Sequence, residues 1–164
     1  MADPLLAAAM LLYRLRYWQP VERLTHHPDE AQNSVLRRLL TANRRTRFGI
    51  EHGFDGIRTH REFCERVPVQ DYERLRPYVD DQRITGAHAL TTEAPLFYAQ
   101  TSGSTGAPKY IPITPATLAE QRSEQALFSF LQYRACPDAS AGKALGVLGA
   151  AVEGRLDSGR AAGS

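Results

Sequence analysis

One stretch, YAQTSGSTGAPKYIPIT at residues 98–114, constrains the fold more than any other part of this chain of 164 residues. The runs PLFYAQ and KYIPI are rich in aromatic and β-branched residues and predict two short strands. Between them lie small hydroxyl residues, glycines and a lysine. Glycine lets successive backbone amides converge on one point, and the hydroxyls and the ammonium are further donors. This composition favours a phosphate-binding loop over a plain surface turn.

The loop does not match the Walker A phosphate-binding motif. Gly103 is followed by Gly106 rather than by a glycine five positions later, and Lys109 does not adjoin a glycine. Pro108 and the run after it predict a strand, whereas Walker A requires a helix at that point. We therefore expect phosphate binding through amides and hydroxyls, without a helix dipole directly behind the loop.

The chain before residue 90 predicts a layer of helices. The first helix covers residues 4–18 and ends near Pro20, and the second begins at Asp29, an N-cap candidate with Gln32 three positions later. Apolar residues of the second helix recur at every third or fourth position and share one face: Ala31, Val35, Leu39 and Ala42. The hydrophobic faces of the layer are expected to include Val35, Leu36, Leu39 and Leu40. Without interleaved aromatic residues, four arginines predict a solvated face rather than a nucleic-acid site: Arg37, Arg38, Arg44 and Arg45.

Turn and capping residues divide the rest of the chain. FGIEHGF, residues 48–54, predicts a glycine-punctuated turn. Thr59 with Glu62 forms a capping-box pair before a short helix, and Asp71 caps the next, which Pro77 is expected to restart or kink. Thr114 and Pro115 predict the start of a helix that runs to about Tyr133. KALGVLGAAV, residues 143–152, predicts a buried strand.

Charge, cysteine and histidine placement point to no other partner. A net charge of +2 is too small to argue for nucleic acid or a membrane surface, so neither is expected as a partner. Cys64 and Cys136 have no metal-ligand spacing and are expected to be reduced thiols in the cytoplasm. The apolar run at residues 4–13 follows Asp3 and is too short to span a membrane, so it predicts a packed helix. No metal site is predicted, because no histidine has a partner at ligand spacing.

Three stretches, together with the loop, carry a family resemblance. TSGSTGAPK resembles the phosphate-binding signature of the adenylate-forming superfamily. NRRTRFGIEHGF, FCERVPVQDYERLRPYV and KYIPIT, in that order, are similar to the auxin-responsive GH-three family, the acyl-acid amido synthetases. The resemblance covers about residues 30 to 155.

The resemblance implies a two-step reaction that uses ATP with Mg²⁺ held through its phosphates. A carboxylic acid is activated as an acyl-adenylate, and the amine of an amino acid then displaces AMP. Hydroxyls of the loop would donate to phosphate oxygens, its glycines would allow the backbone to approach, and the lysine would add charge: Ser102, Gly103, Ser104, Thr105, Gly106 and Lys109. No catalytic residue is assigned.

The same resemblance implies an α/β fold that looks α+β over this stretch, with a helical layer before the first part of the large adenylate-forming domain's β-sheet. Residues 1–90 are expected to form the N-terminal helical segment, and residues 91–164 to begin an incomplete ATP-binding subdomain. The missing C-terminal part would hold adenine, ribose and the acid, so the chain alone is expected to be inactive. Two alternatives stay open: a fragment of an acyl-CoA synthetase-like enzyme, and a non-catalytic truncated remnant.

Overall fold

The structure is a computed structural model that describes residues 4–101, 108–140, 154–155 and 161–163. The chain forms two compact units. The first unit comprises residues 1–31 and 117–148, and the second unit comprises residues 32–116 and 149–164. A functional boundary at residue 90 stays a prediction. None of the described helices is long and apolar enough to cross a membrane.

Helices dominate the described part of the chain. Their bounds are α1 (Pro4–Tyr13), α2 (Gln19–Leu24), α3 (Pro28–Asn43), α4 (Arg47–Glu51), α5 (His60–Arg66), α6 (Tyr72–Thr85) and α7 (Pro115–Ala135). The described strands are β1 (Phe97–Gln100), β2 (Tyr110–Ile113), β3 (Gly154–Arg155) and β4 (Ala161–Gly163). A helical layer that leads into a small sheet confirms the predicted fold class.

In the first unit, the helical path continues past Pro20, so the predicted end of the first helix was wrong. A π-helical turn, Arg14–Trp18, joins α1 to α2, and Pro20 lies in the first turn of α2. A proline ring collides with the carbonyl four residues earlier in a regular α-helix. The wider π turn before Pro20 relieves that collision, and the chain continues without a break.

The buried face of α3 agrees with the prediction at Leu36 and Leu40 and differs from it at Val35 and Leu39. Leu40 is 4% exposed, whereas Val35 and Leu39 are 46% and 50% exposed. The inward face therefore runs through Leu40 and the half-buried Leu36, one helical turn apart. Asn43 continues this face and bonds the backbone N–H of a residue 49 positions away through its side chain. Because Asn43 is polar, the hydrophobic pattern did not include it in the inner face of α3. The four arginines predicted to be solvated are exposed: Arg37, Arg38, Arg44 and Arg45.

The helix starts follow local signals with some shifts. Asp29 lies inside the first turn of α3 rather than before it, since the helix begins at Pro28. Thr59 caps α5 by accepting from the Glu62 amide at 3.2 Å, as predicted, but the Glu62 carboxylate accepts from the Arg58 amide at 2.7 Å. Asp71 caps α6 as predicted.

Two predicted breaks turned out differently. Residues 48–54 were expected to be a turn, but most of them belong to the one-turn helix α4, which ends before Gly53 at φ 64°. Pro77 does not restart a helix, because α6 runs through it to Thr85 and is capped by Gly86 with φ 77°. A kink at Pro77 stays a prediction. In both cases a glycine in the left-handed region marks the real end.

The sheet lies in the second unit and has the strand order β2-β1-β4-β3. β1 pairs with β2 antiparallel and with β4 parallel, and β3 pairs with β4 antiparallel. Tyr98 of β1 is fully buried and Ile113 of β2 nearly so, which anchors this strand pair in the core. The helix after β2 begins at Pro115, as predicted. The strand predicted at residues 143–152 lies outside the described residues.

Candidate functional site

The predicted phosphate-binding loop connects β1 to β2, and the structure describes its two ends. The Thr101 amide donates to the Lys109 carbonyl at 3.1 Å, and the Lys109 amide donates to the Thr101 hydroxyl oxygen at 3.3 Å. The loop connects two antiparallel strands. A strand therefore follows the loop, as predicted, where a Walker A motif requires a helix. The remaining predicted site residues lie outside the described residues: Ser102, Gly103, Ser104, Thr105 and Gly106.

The first residue of β2 is fastened to α6. The Tyr72 hydroxyl accepts a hydrogen bond from the Tyr110 amide at 2.7 Å and donates one to the Tyr110 carbonyl at 3.2 Å. One turn along α6, Arg76 donates to the Pro108 carbonyl at 3.4 Å. The end of the loop is therefore held by two side chains of one helix.

Positive charge collects at this end of the loop. The Lys109 ammonium lies 5.6 Å from the centroid of the Tyr72 ring, and the Arg76 guanidinium lies 4.9 Å from the same centroid. Both distances are within the range of cation–π attraction. Lys109 is exposed, and within the described ranges its ammonium forms no ion pair with a carboxylate. An exposed, unneutralised cation suits an anionic ligand.

Glu73 balances Arg76 rather than Lys109. Its carboxylate receives two hydrogen bonds from the Arg76 guanidinium, both 2.8 Å long. These bonds, together with the charges of Arg76 and Lys109, hold the pKa of Glu73 below its ordinary value. The same hydrogen bonding raises the pKa of Arg76. The charges of Arg76 and Glu73 offset each other, and the positive charge of Lys109 remains. A remaining positive charge beside the loop suits a phosphate group.

The first family stretch, NRRTRFGIEHGF, builds the scaffold rather than the loop. Thr46 is fully buried, and its hydroxyl donates to the Asn43 carbonyl at 2.7 Å and accepts from the Gly49 amide at 3.0 Å. The amides of Arg47 and Phe48 donate to carbonyls in the segment after α6, both at 3.0 Å. This stretch therefore joins α3 and α4 to the segment that leads into the sheet.

Sequence reasoning missed Tyr72 and Arg76. Both lie in the second family stretch, FCERVPVQDYERLRPYV, in which the sequence predicted the cap at Asp71 and the break at Pro77 but no contact with the loop. Tyr72 contacts a residue 38 positions away, and no local pattern reports such a contact. The sequence offered one sign of these two residues: an aromatic and a basic residue lie one helical turn apart within a family stretch.

Two other cavities lie in the second unit. A cavity of about 630 Å³ has no charged side chain in its lining, which includes Leu36, Leu39, Phe63, Val67, Leu75 and Leu90. A smaller one, about 380 Å³, is lined by Arg37, Arg44 and Arg58 together with Asp55. Arg44 lies 3.8 Å from the Asp55 carboxylate, which offsets part of that charge. The apolar cavity is unsuited to phosphate, and the arginine-lined cavity is the competing anion site that an experiment must separate from the loop.

Known proteins share this combination of helical layer and strand pair. The profile of the GH3 family N-terminal domain matches residues 18–164. Indole-3-acetic acid-amido synthetase GH3.15 of Arabidopsis thaliana is 32% identical over 127 residues, or 76% of this chain and 21% of the relative. Indole-3-acetic acid-amido synthetase GH3.2 of the same species is 30% identical over 117 residues, or 68% of this chain and 20% of the relative.

Solved structures agree. The GH3.15 acyl acid amido synthetase matches with a TM-score of 0.75 at 26% identity, over 88% of this chain and 26% of that chain. The AtGH3.15 acyl acid amido synthetase in complex with 2,4-DB matches with a TM-score of 0.78 at 27% identity, over 91% and 26%. Fold and sequence thus match the N-terminal part of proteins named acyl acid amido synthetases. The chain belongs to the GH3 family, as its sequence predicted, and it spans about a fifth of the length of these curated relatives.

Proposed function

We propose that this chain is the N-terminal portion of an ATP-dependent acyl-acid amido synthetase, in which residues 101–109 bind the phosphates of ATP. The observation that carries the proposal is the closed base of the loop, where Thr101 and Lys109 are joined by two hydrogen bonds. This base brings a hydroxyl and an exposed ammonium to the ends of a segment made mainly of glycine and hydroxyl residues. Membership of a family whose relatives are named amido synthetases supports the same assignment.

The proposed roles follow from the donor chemistry of the loop. Serine and threonine hydroxyls donate to phosphate oxygens, and the glycines let backbone amides approach them. The ammonium offsets negative charge that builds on the departing pyrophosphate, and Mg²⁺ enters with the phosphates of ATP. The proposed binding residues are Ser102, Gly103, Ser104, Thr105, Gly106 and Lys109.

The proposed reaction has two steps. A carboxylate oxygen of the acid attacks the α-phosphorus of ATP, the bond to the β-phosphate oxygen breaks, and acyl-adenylate and pyrophosphate form. The amine of an amino acid then attacks the acyl carbon, AMP leaves, and an amide remains. In the first step the loop orients the β- and γ-phosphates, so its contribution is position and charge rather than proton transfer.

The complete reaction is proposed for the whole enzyme. The chain corresponds to 26% of the length of the solved relatives, and its described residues include no assigned site for the acid or the amine. We therefore expect the 164-residue chain alone to catalyse no measurable ATP–pyrophosphate exchange. Robust exchange by the purified chain would mean that these residues contain the complete site.

Titration calorimetry of the chain with Mg-ATP tests the phosphate-binding assignment. We expect weak, Mg²⁺-dependent binding that Lys109→Ala and Ser104→Ala each reduce about tenfold to a hundredfold. A charge-assisted hydrogen bond is worth about 1.5–3 kcal/mol, which corresponds to that range. The same variants in a full-length enzyme should reduce ATP-dependent adenylation by a similar factor.

Arg37→Ala is the matched control, because it removes one positive charge from the arginine-lined cavity and leaves the loop unchanged. Its affinity for Mg-ATP should equal that of the unaltered chain. If Arg37→Ala abolished binding while Lys109→Ala preserved it, the nucleotide would bind at the arginine-lined cavity and the loop assignment would be wrong. Absence of any Mg-ATP binding would also contradict it.

A product assay on the complete enzyme separates amide formation from thioester formation. The enzyme is given ATP, a carboxylic acid and either an amino acid mixture or coenzyme A, and the products are identified by mass spectrometry. Amide products support the proposal. Thioester products alone would favour the acyl-CoA synthetase alternative, and absence of both would favour a non-catalytic remnant.

A further inference from the structure

We propose that Tyr72 is a positioning residue for the phosphate-binding loop, acting on the backbone through its hydroxyl and on Lys109 through its ring. The inference rests on the proposed function, and it adds a residue from outside the loop. Both contacts come from one side chain on the first turn of α6. Tyr72→Phe removes the hydroxyl alone, and Tyr72→Leu removes both the hydroxyl and the ring.

The hydroxyl closes the open side of an edge strand. Among the described strands β2 lies at the edge of the sheet, with β1 on one side only. An edge strand presents unpaired N–H and C=O groups on its other side. The Tyr72 hydroxyl takes both groups of Tyr110, accepting from the amide at 2.7 Å and donating to the carbonyl at 3.2 Å. A hydroxyl can do both at once, and a phenylalanine ring can do neither.

The ring holds a cation without neutralising it. Lys109 lies 5.6 Å from the Tyr72 centroid, and Glu73 is occupied by two hydrogen bonds from Arg76. A carboxylate partner would compete strongly with a phosphate for the ammonium, whereas an exposed aromatic face attracts it only weakly. The ring therefore holds the Lys109 ammonium at the end of the loop and leaves its positive charge available to a phosphate.

Position at this point matters because Lys109 directly precedes the anchored residue Tyr110. A displacement of β2 moves the lysine and the end of the loop together. Small misplacements of groups that bind reacting phosphates carry large penalties in rate and affinity. We expect Tyr72→Phe, which keeps the ring, to weaken Mg-ATP binding about three- to tenfold, a loss equivalent to one of the two hydrogen bonds that the hydroxyl forms. Tyr72→Leu, which also removes the ring, should weaken it further.

Tyr78→Phe is the matched control. Tyr78 lies on the same helix, and its hydroxyl bonds the Glu51 carboxylate rather than β2. Tyr72→Phe removes two hydrogen bonds to backbone groups, and Tyr78→Phe removes one hydrogen bond to a carboxylate. A bond to a charged group is worth about twice a neutral one, so similar losses of stability are expected. Only Tyr72→Phe should weaken nucleotide binding and speed hydrogen exchange at the Tyr110 amide.

Lysine spectroscopy gives a readout that a purely structural role would not change. The chain has two lysines, Lys109 and Lys143, so selective ¹³C labelling of lysine gives two sets of ε-carbon signals. One set should be displaced by the Tyr72 ring, remain displaced in Tyr72→Phe, return to the ordinary position in Tyr72→Leu, and shift on addition of Mg-ATP. Lys109→Ala assigns that set.

The outcomes distinguish the two proposals. If Lys109→Ala weakens binding and both Tyr72 variants bind like the unaltered chain, the positioning role is wrong and the phosphate-binding role stands. If Tyr72→Phe and Tyr78→Phe lose affinity equally, the effect is general destabilisation and the positioning role is again wrong. If the unaltered chain binds no nucleotide, the proposed function fails and this inference fails with it.

Discussion

Gly49→Ala should destabilise the chain through a collision with its own backbone. A Cβ atom at this position would lie 2.2 Å from the Asn43 carbonyl oxygen and 3.1 Å from the Thr46 hydroxyl oxygen. An ordinary contact begins near 3.4 Å, so the oxygen must move by more than 1 Å. It is held by the Thr46 hydroxyl and amide, at 2.7 and 3.1 Å, so moving it breaks or distorts both hydrogen bonds.

The magnitude follows from three terms. Overpacking a buried site costs about 1–3 kcal/mol, and two weakened hydrogen bonds cost about 0.5–1.5 kcal/mol each. Replacing glycine by alanine in a helix returns about 1 kcal/mol. The expected net loss is about 1–5 kcal/mol in the free energy of unfolding. For a chain of this size the midpoint of thermal unfolding should fall by about 2–20 °C.

Urea unfolding followed by circular dichroism measures this loss, with Gly56→Ala as the control. A Cβ at Gly56 meets the tip of the Arg66 side chain at 2.5 Å, and a flexible side chain can move away. Gly56→Ala should therefore cost less than about 1 kcal/mol. If Gly49→Ala were as stable as the unaltered chain, or no less stable than Gly56→Ala, the backbone collision would be refuted.

Other substitutions test the packing, the caps and one titrating group. Leu40→Ala should cost about 2–5 kcal/mol because the side chain is buried, whereas Leu39→Ala, half exposed, should cost under about 1 kcal/mol; equal losses in urea unfolding would contradict the observed face of α3. Asp71→Ala should cost about 1 kcal/mol by removing the cap of α6, and an unchanged midpoint would argue against that cap. Hydrogen bonding to Glu51, burial and the Glu51 charge raise the pKa of Tyr78 above 10.0. The stabilisation from neutral Tyr78 is thus complete below pH 10 and is lost as the pH rises through the folded-state pKa. Ultraviolet titration should show one phenol, absent in Tyr78→Phe, that ionises above the ordinary range; identical curves would contradict it.

The sequence by itself determined the features that depend on neighbouring residues. The caps at Thr59 and Asp71 each join groups three residues apart, and the start of α7 at Pro115 needs only the fixed φ of proline. The two strands around the loop follow from local β propensity and from the turn residues between them. The family resemblance was also readable, because it rests on three short stretches in order.

The candidate site was only partly readable. The loop and Lys109 were predicted from their donor chemistry, and the assignment of residues 102–106 and of Lys109 to phosphate stays a prediction. Tyr72 and Arg76 were not identified, although both belong to a family stretch. Their partners, Tyr110 and Pro108, lie more than 30 positions along the chain, and only the placement of α6 beside β2 brings them together.

Tertiary structure also decided which surfaces are buried and where the chain continues. The inner face of α3 includes Asn43, whose side chain bonds the backbone N–H of Thr92. The hydrophobic pattern therefore included Leu36 and Leu40 correctly but also placed the half-exposed Val35 and Leu39 on the buried face. The helical path passes Pro20 because a π turn makes room for the ring. Local preferences are worth a fraction of a kcal/mol to about 1 kcal/mol per residue, and burial or a hydrogen bond to a distant residue outweighs them.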